Sequence, residues 1–262
     1  MLRQQLYNST TLQLYNSMKV ALFVPCYIDQ FYPNAGIASL ELLEKLGCEV
    51  AFPPDQTCCG QPLANSGMEQ EAVPIYQHFV ETFKDYDYIV GPSGSCVYHI
   101  RHHYDKIEQT PEVVAIRERT YELADFLVNV LGVTELDASF PHRVGIHNSC
   151  HGLRGLRLGS GSERVGEAFS YYKYLLGMVK GLELVTLERT DECCGFGGTF
   201  SVNQPELSTK MGRDRITDHE RNGSEVITSG DMSCLMHMEG LIRREGRPLR
   251  VMHVAEILNS QS

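Results

Sequence analysis

The sequence predicts an α/β protein of two pseudo-repeated units, each a small parallel sheet flanked by helices with cysteine loops at the strand C-terminal ends. Three observations lead there. Short runs of branched and aromatic residues alternate with stretches of helical spacing, the pattern of strand–helix–strand units. The order of those segments in residues 18–133 returns in residues 143–262. Thr57-Cys58-Cys59-Gly60 in the first unit is echoed by Glu192-Cys193-Cys194-Gly195 in the second.

Taken in order, Lys19 to Pro25 is almost wholly apolar, which suits a strand covered on both faces. It ends at Pro25-Cys26. Gly36 to Leu46 has helical spacing that turns Ile37, Leu40, Leu43 and Leu46 towards a core, with Gly47 as the stop signal. Glu49 to Phe52 is the next strand, halted by Pro53-Pro54 just before the Cys58-Cys59 loop. A helix over Met68 to Phe83 and a strand at Tyr88 to Val90 lead to Gly91-Pro92-Ser93-Gly94-Ser95-Cys96. Further helices are expected from near Cys96 and over Arg119 to Leu131. In the second unit the strands are Arg143–Ile146, Leu184–Leu187, Val226–Thr228 and Leu249–Met252. The helices there are Glu163–Leu176, Pro205–His219, with its early proline, and Val254–Leu258. Thr134 to His142, polar and containing Pro141, marks the boundary.

The chain has 262 residues, 42% of them hydrophobic and 21% charged, a composition suited to packed globular units. A net charge of −10 opposes binding to nucleic acid, whose phosphates most of the surface would repel. No apolar run approaches the roughly 20 residues of a membrane span. Residues 1–17 contain a short polar repeat, Gln5-Leu6-Tyr7-Asn8-Ser9 and Gln13-Leu14-Tyr15-Asn16-Ser17, without the basic start and apolar middle of a secretory signal. They are expected to be a non-native or flexible extension ahead of Met18, and the protein is expected in the cytoplasm.

In a reducing compartment clustered cysteines point to metal or redox chemistry rather than structural disulfides. Eight of the nine cysteines form two matching sets: Cys26, Cys58, Cys59 and Cys96, then Cys150, Cys193, Cys194 and Cys234. Cys48 stands apart and reads as core. Each of the eight follows a predicted strand, and in a parallel sheet those strand ends share one edge, where ligand crevices form. Structural zinc sites favour CxxC knuckles, which neither set has. A cluster of several irons accepts thiolates from scattered loops. An iron–sulfur cluster is therefore the leading expectation, with a zinc-binding structural or interaction module and free redox-active thiols as alternatives.

The duplicated C…CCG…C plan, with Cys150-His151-Gly152-Leu153-Arg154, resembles the cysteine-rich CCG domain family. That family includes the heterodisulfide reductase B subunit and the iron–sulfur subunits of glycolate oxidase and anaerobic glycerol-3-phosphate dehydrogenase. Within it the chain resembles the LutA/YkgE group. The resemblance rests on Val24-Pro25-Cys26-Tyr27, Thr57-Cys58-Cys59-Gly60-Gln61-Pro62, Cys193-Cys194-Gly195-Phe196-Gly197-Gly198 and Asp231-Met232-Ser233-Cys234-Leu235. It implies a [4Fe-4S] cluster, at most one per CCG domain, in the redox subunit of a complex oxidising L-lactate to pyruvate. It also implies LutB-like and LutC-like partner subunits and a small hydroxy-acid substrate. Subunits of heterodisulfide-reductase-like or glycolate- and glycerol-3-phosphate-oxidising complexes are the alternatives. Much of the wider family carries a fifth cysteine per site; here Ser93 and Asp231 stand in those places. Asp231 is expected to cap the helix that starts at Met232, with an oxygen ligand as the other reading. His147, His151, Arg154 and Arg157 are candidates to offset cluster charge or to hold a substrate carboxylate. Arg101-His102-His103 is expected to be a solvated helix face. No GxGxxG or GxxxxGK[ST] motif is present, which weakens nicotinamide and ATP readings.

Overall fold

The computed structural model describes residues 18–261; the segment 1–17, expected to be an extension, lies outside them. Two four-stranded sheets are formed. Strands β1 (Lys19–Leu22), β2 (Glu49–Ala51), β3 (Tyr88–Gly91) and β4 (Thr120–Glu122) make the first, in the order β2-β1-β3-β4. Strands β5 (Arg143–Ile146), β6 (Glu183–Val185), β7 (Val226–Ser229) and β8 (Arg250–His253) make the second, in the order β6-β5-β7-β8. Every pairing is parallel, so each connection must cross over through a helical segment. Central β1, β3, β5 and β7 are buried almost throughout, which is why they read as continuous apolar runs.

Packing moved three elements from their expected places. The helix after β1 runs Pro33–Lys45, preceded by a short helix Cys26–Phe31. Its buried face is Ala35, Gly36, Ala38, Ser39, Leu42 and Leu43, while Ile37 is 52% exposed. Small residues face the core because the neighbouring chain is close: a Cβ on Gly36 would sit 3.3 Å from Ile28. In place of an unbroken helix over Arg119–Leu131, the chain first adds Thr120–Glu122 to the sheet and turns helical over 123–130. Pairing of Ile89 with Thr120 and Gly91 with Glu122 overrides local preference there. The helix expected over Glu163–Leu176 is confined to Tyr171–Leu176. Residues before it are held open by a bridge between Gly159 and Ser170, and Ser170 then caps the helix at the Lys173 N–H.

The halves share one interior. A single apolar cluster includes Leu22, Val90 and Leu123 from the first sheet side and Val144, Ile146 and Val254 from the second. The Pro33–Lys45 helix packs against Val254–Leu258. Helix Gly94–His103 meets the turn His151–Gly155, so closely that a Cβ on Gly94 would lie 3.1 Å from the Gly152 Cα. The C-terminal ends of both sheets thereby face a common space.

Candidate metal centre

Six loops deliver the eight cysteines. Cys26 begins the helix after β1, Cys58 and Cys59 lie in the loop after β2, and Cys96 is in the first turn of Gly94–His103 after β3. Cys150, Cys193 with Cys194, and Cys234 repeat this after β5, β6 and β7. All eight line one cavity of about 490 Å³. Cys48 is 7% exposed in the shared core and lies elsewhere.

Within each set the sulfurs form a chain with the first cysteine of the adjacent pair at its hub. The Cys26 Sγ lies 3.8 Å from the Cys58 Sγ. Thiols of Cys26 and Cys59 and the Gly60 N–H all donate towards Cys58, pulling its pKa down to about 3. Cys150, Cys194 and the Gly195 N–H do the same for Cys193, lowering it to about 2. The lowered pKa favours the thiolate at each hub, the form that binds metal. The glycines make the geometry available. Gly60 and Gly195 have φ of 89° and 86°, left-handed conformations that only glycine adopts readily. Their N–H groups reach back to Cys58 at 3.4 Å and Cys193 at 3.3 Å.

Side chains that sequence patterns do not single out support these loops. Under the first set, the Tyr104 hydroxyl donates to the Cys59 carbonyl at 3.1 Å and stacks on Tyr76. Tyr76 in turn pairs with the Nε2 of His99, whose pKa burial lowers to about 3. Under the second set, Arg215, fully buried, donates to Asp218 at 3.0 Å and to the Arg189 carbonyl. Asp218 accepts from the N–H groups of Glu188 and Arg189 at 3.2 Å each. The pair clamps the loop leading to Cys193. An arginine inside an otherwise helical sequence carries no local mark of burial.

The expected positive charge is absent from the cavity wall. His147 is 1% exposed, and burial, with Arg215 nearby, pushes its pKa down to about 3, so it is neutral. Arg154 turns away to Glu163 and Asp191. Neither Arg154 nor Arg157 lines the cavity, whereas His151 does. Arg101 and His103 face Asp125 and Glu69 and lie outside it.

A family model described as a cysteine-rich domain, CCG, matches residues 20–101 and again 144–239. Lactate utilization protein A of Exiguobacterium sp. is 44% identical over 246 residues, covering 92% of this chain and 96% of that protein. Its namesakes from Geobacillus thermodenitrificans and Bacillus subtilis are 45% and 42% identical, with 94% and 93% of this chain and all of theirs covered. The chain belongs to the lactate utilization protein A family. Among solved structures, glutamate racemase isoform RacE1 of Bacillus anthracis aligns with a TM-score of 0.36 and 12% identity over 93% of this chain and 79% of that one, too loose to bear on function.

For this member of the lactate utilization protein A family, the two positions of the wider family's fifth cysteine have a clear fate. Ser93 and Asp231 are bridged to each other, antiparallel, where the halves meet. Ser93 caps its own helix at the Cys96 N–H. Asp231 does not cap the helix that follows it. Its Oδ2 accepts from the Ser95 N–H at 2.8 Å, so it caps the helix of the other half, and Oδ1 accepts from the Ser233 hydroxyl at 2.7 Å. Both oxygens are therefore engaged, Oδ2 across the halves and Oδ1 within its own half.

Proposed function

We propose that this chain is an iron–sulfur electron carrier of lactate utilisation, working in the cytoplasm within a complex that oxidises L-lactate to pyruvate. Residues 18–133 and 143–262 form its two cysteine-rich units. Cys26, Cys58, Cys59 and Cys96 hold one cluster, of the [4Fe-4S] type; Cys150, Cys193, Cys194 and Cys234 hold the other. The observation that carries this reading is the convergence of all eight thiols, from six strand-end loops, on one cavity. A bound cluster supplies reversible one-electron transfer.

The donor set suits iron–sulfur better than zinc. A tetrahedral zinc with Zn–S of ~2.3 Å needs every pair of sulfurs about 3.8 Å apart. Among the described residues, the only three candidate ligand atoms all within 4.8 Å of one another belong to His147, Cys194 and Cys234. Neither set of four thiols is drawn around a single ion. The backbone N–H groups of Gly60 and Gly195, already aimed at sulfur, suit an anionic centre.

Oxidising lactate to pyruvate releases two electrons and two protons. Among the described residues no lysine or arginine lines the cavity to pair with a hydroxy-acid carboxylate. That favours oxidation of the substrate on a LutB-like or LutC-like subunit, with this chain passing electrons onward. Ser93 and Asp231, tied to backbone and to each other's half, disfavour the direct disulfide chemistry of five-cysteine relatives. Anaerobically purified chain is expected to be brown, to contain iron and acid-labile sulfide, and to bleach with dithionite. Colourless protein with stoichiometric zinc and no sulfide refutes the proposal.

A further inference from the structure

The halves repeat each other in backbone but differ in one side chain beneath the cysteines. Phe23 and His147 each stand three residues before the first cysteine of their set, at the ends of β1 and β5. Each donates its N–H to the neighbouring central strand, Phe23 to the Val90 carbonyl at 2.9 Å and His147 to the Thr228 carbonyl at 2.7 Å. Phe23 is sealed in aromatic packing, edge-on to Phe79 at 5.1 Å and Phe83 at 5.9 Å. Two other histidines near the sets are matched between the halves. His99 and His237 each follow the last cysteine of their set by three residues. Each spends its Nε2 on the scaffold, His99 on the Tyr76 hydroxyl at 3.0 Å and His237 on the Ser208 carbonyl at 3.3 Å. His147 alone of the three replaces an apolar side chain.

We infer that His147 is a positioning residue of the second centre: its ring N–H donates to the ligating sulfur of Cys194 or Cys234 and raises that centre's reduction potential above the first's. This rests on the iron–sulfur reading above. Cys150, Cys193, Cys194 and Cys234 remain the whole ligand set, one thiolate to each iron, and the imidazole stays outside it. Three observations converge on the hydrogen bond. A ring nitrogen of His147 and the Sγ atoms of Cys194 and Cys234 all lie within 4.8 Å of one another. The His147 Nδ1 is buried without a hydrogen-bond partner among the described residues, and an imidazole sealed from water needs partners for its nitrogens. The side chain is 1% exposed and lines the cavity, so bulk water does not compete for the bond. A neutral imidazole has one N–H to give, and a thiolate makes that bond charge-assisted. Hydrogen bonds to the sulfurs are among the terms that set the potential of an iron–sulfur centre, and a donor favours the reduced, more negative form. The N–H groups of Gly60 and Gly195 serve both hubs alike and cancel between the halves. Phe23 offers the first centre no donor at the corresponding place.

The test uses the full chain, reconstituted anaerobically with iron and sulfide and carrying 15N-labelled histidine, with pulsed EPR and potentiometric titration. One of two cluster signals is expected to show a weak histidine nitrogen coupling and an exchangeable proton that deuterated water removes. His147→Phe is expected to keep full iron and sulfide and to lose that coupling. Its higher midpoint potential is expected to fall by about a tenfold change in the redox equilibrium, ~59 mV for one electron. His147→Gln, which keeps an N–H donor and serves should the phenylalanine variant fold poorly, is expected to lose the labelled coupling yet hold its potential near the wild-type value. Full iron and sulfide with the same potentials in wild type and His147→Phe overturns the assignment and leaves the iron–sulfur reading standing. Coupling that persists in His147→Gln belongs to another histidine and overturns it, as does the strong coupling of a directly bonded nitrogen. Wild-type protein that takes up no iron or sulfide removes both readings together.

Discussion

Glu122 gives the structure a measurable pH dependence. It closes β4 fully buried, with Oε2 accepting the Ala124 and Asp125 N–H groups and Oε1 facing the Tyr172 hydroxyl at 3.2 Å. Burial pushes its pKa from 4.5 up to about 8, against the backbone hydrogen bonds that oppose it. A carboxyl raised in the folded state favours folding fully below its unfolded pKa, and that contribution is lost as pH rises through the folded value. The window is therefore pH ~4.5 to 8, at about 1.4 kcal/mol per unit. By pH 7 the folded state has given up about 3 kcal/mol relative to pH 4 through this one group. Glu122→Gln keeps the shape, offers its oxygen to Ala124 and Asp125, and turns its amide towards Tyr172, with nothing to titrate. Urea unfolding of wild type and variant, followed anaerobically by circular dichroism at pH 5, 6, 7 and 8, isolates the effect, since cysteine titrations cancel in the difference. The variant is expected to gain on the wild type steadily from pH 5 to 8, by about 3 kcal/mol in all. Parallel pH profiles would show that Glu122 ionises as an ordinary carboxylate and that its burial has been misjudged.

Two further perturbations separate the site from the scaffold. Gly195→Ala forces a side chain into a left-handed backbone, costing about 1–2 kcal/mol, and puts a Cβ 2.7 Å from Met211. Iron content is expected to fall to about half while the first set stays loaded, and unchanged iron would exclude the N–H turn as a requirement. Asp231→Ala strips the cap from the Ser95 N–H across the halves, costing about 1–3 kcal/mol. Asp231→Asn, which still accepts there, is expected to recover most of that in thermal unfolding; equal losses would assign the effect to the charge instead.

What was legible in the sequence follows from which forces are local. Central parallel strands are buried on both faces, so β1, β3, β5 and β7 announce themselves as apolar runs, and the residues just beyond them identify the cysteine loops. Thr120-Tyr121-Glu122 has no such signature; its strand exists because β3 offers an unpaired edge. The likeness of Glu122–Leu127 to His253–Leu258 was the available clue, since the second copy is preceded by the readable strand β8. Ile37, a large residue at helical spacing, faces outward because close approach to Ile28 reserves the core side for small residues such as Ala35, Gly36 and Ala38. Asp231 was right in position and wrong in partner: an aspartate before a helix reads as its cap, and only the packing of the halves shows that it serves Ser95. His147 and Arg154 read as charge for the site, yet burial neutralises one and Glu163 with Asp191 occupy the other.

These cross-connections bear on whether the repeated unit can work alone. Cys96 lies on a helix whose N-terminus is capped by Asp231 of the other half, and the Gly94 N–H donates to the Gly230 carbonyl at 3.2 Å beside it. The loop after the second cysteine pair reaches the opposite way, with the Thr199 hydroxyl donating to the Asn65 carbonyl at 3.1 Å. An isolated first half would lose the cap next to Cys96 and expose the apolar face that Leu22 and Val90 share with Val144 and Val254. Duplication with divergence answers both demands: the shared backbone sets eight thiols around one cavity, while Phe23 against His147 and Ser93 against Asp231 make the two ends chemically unequal.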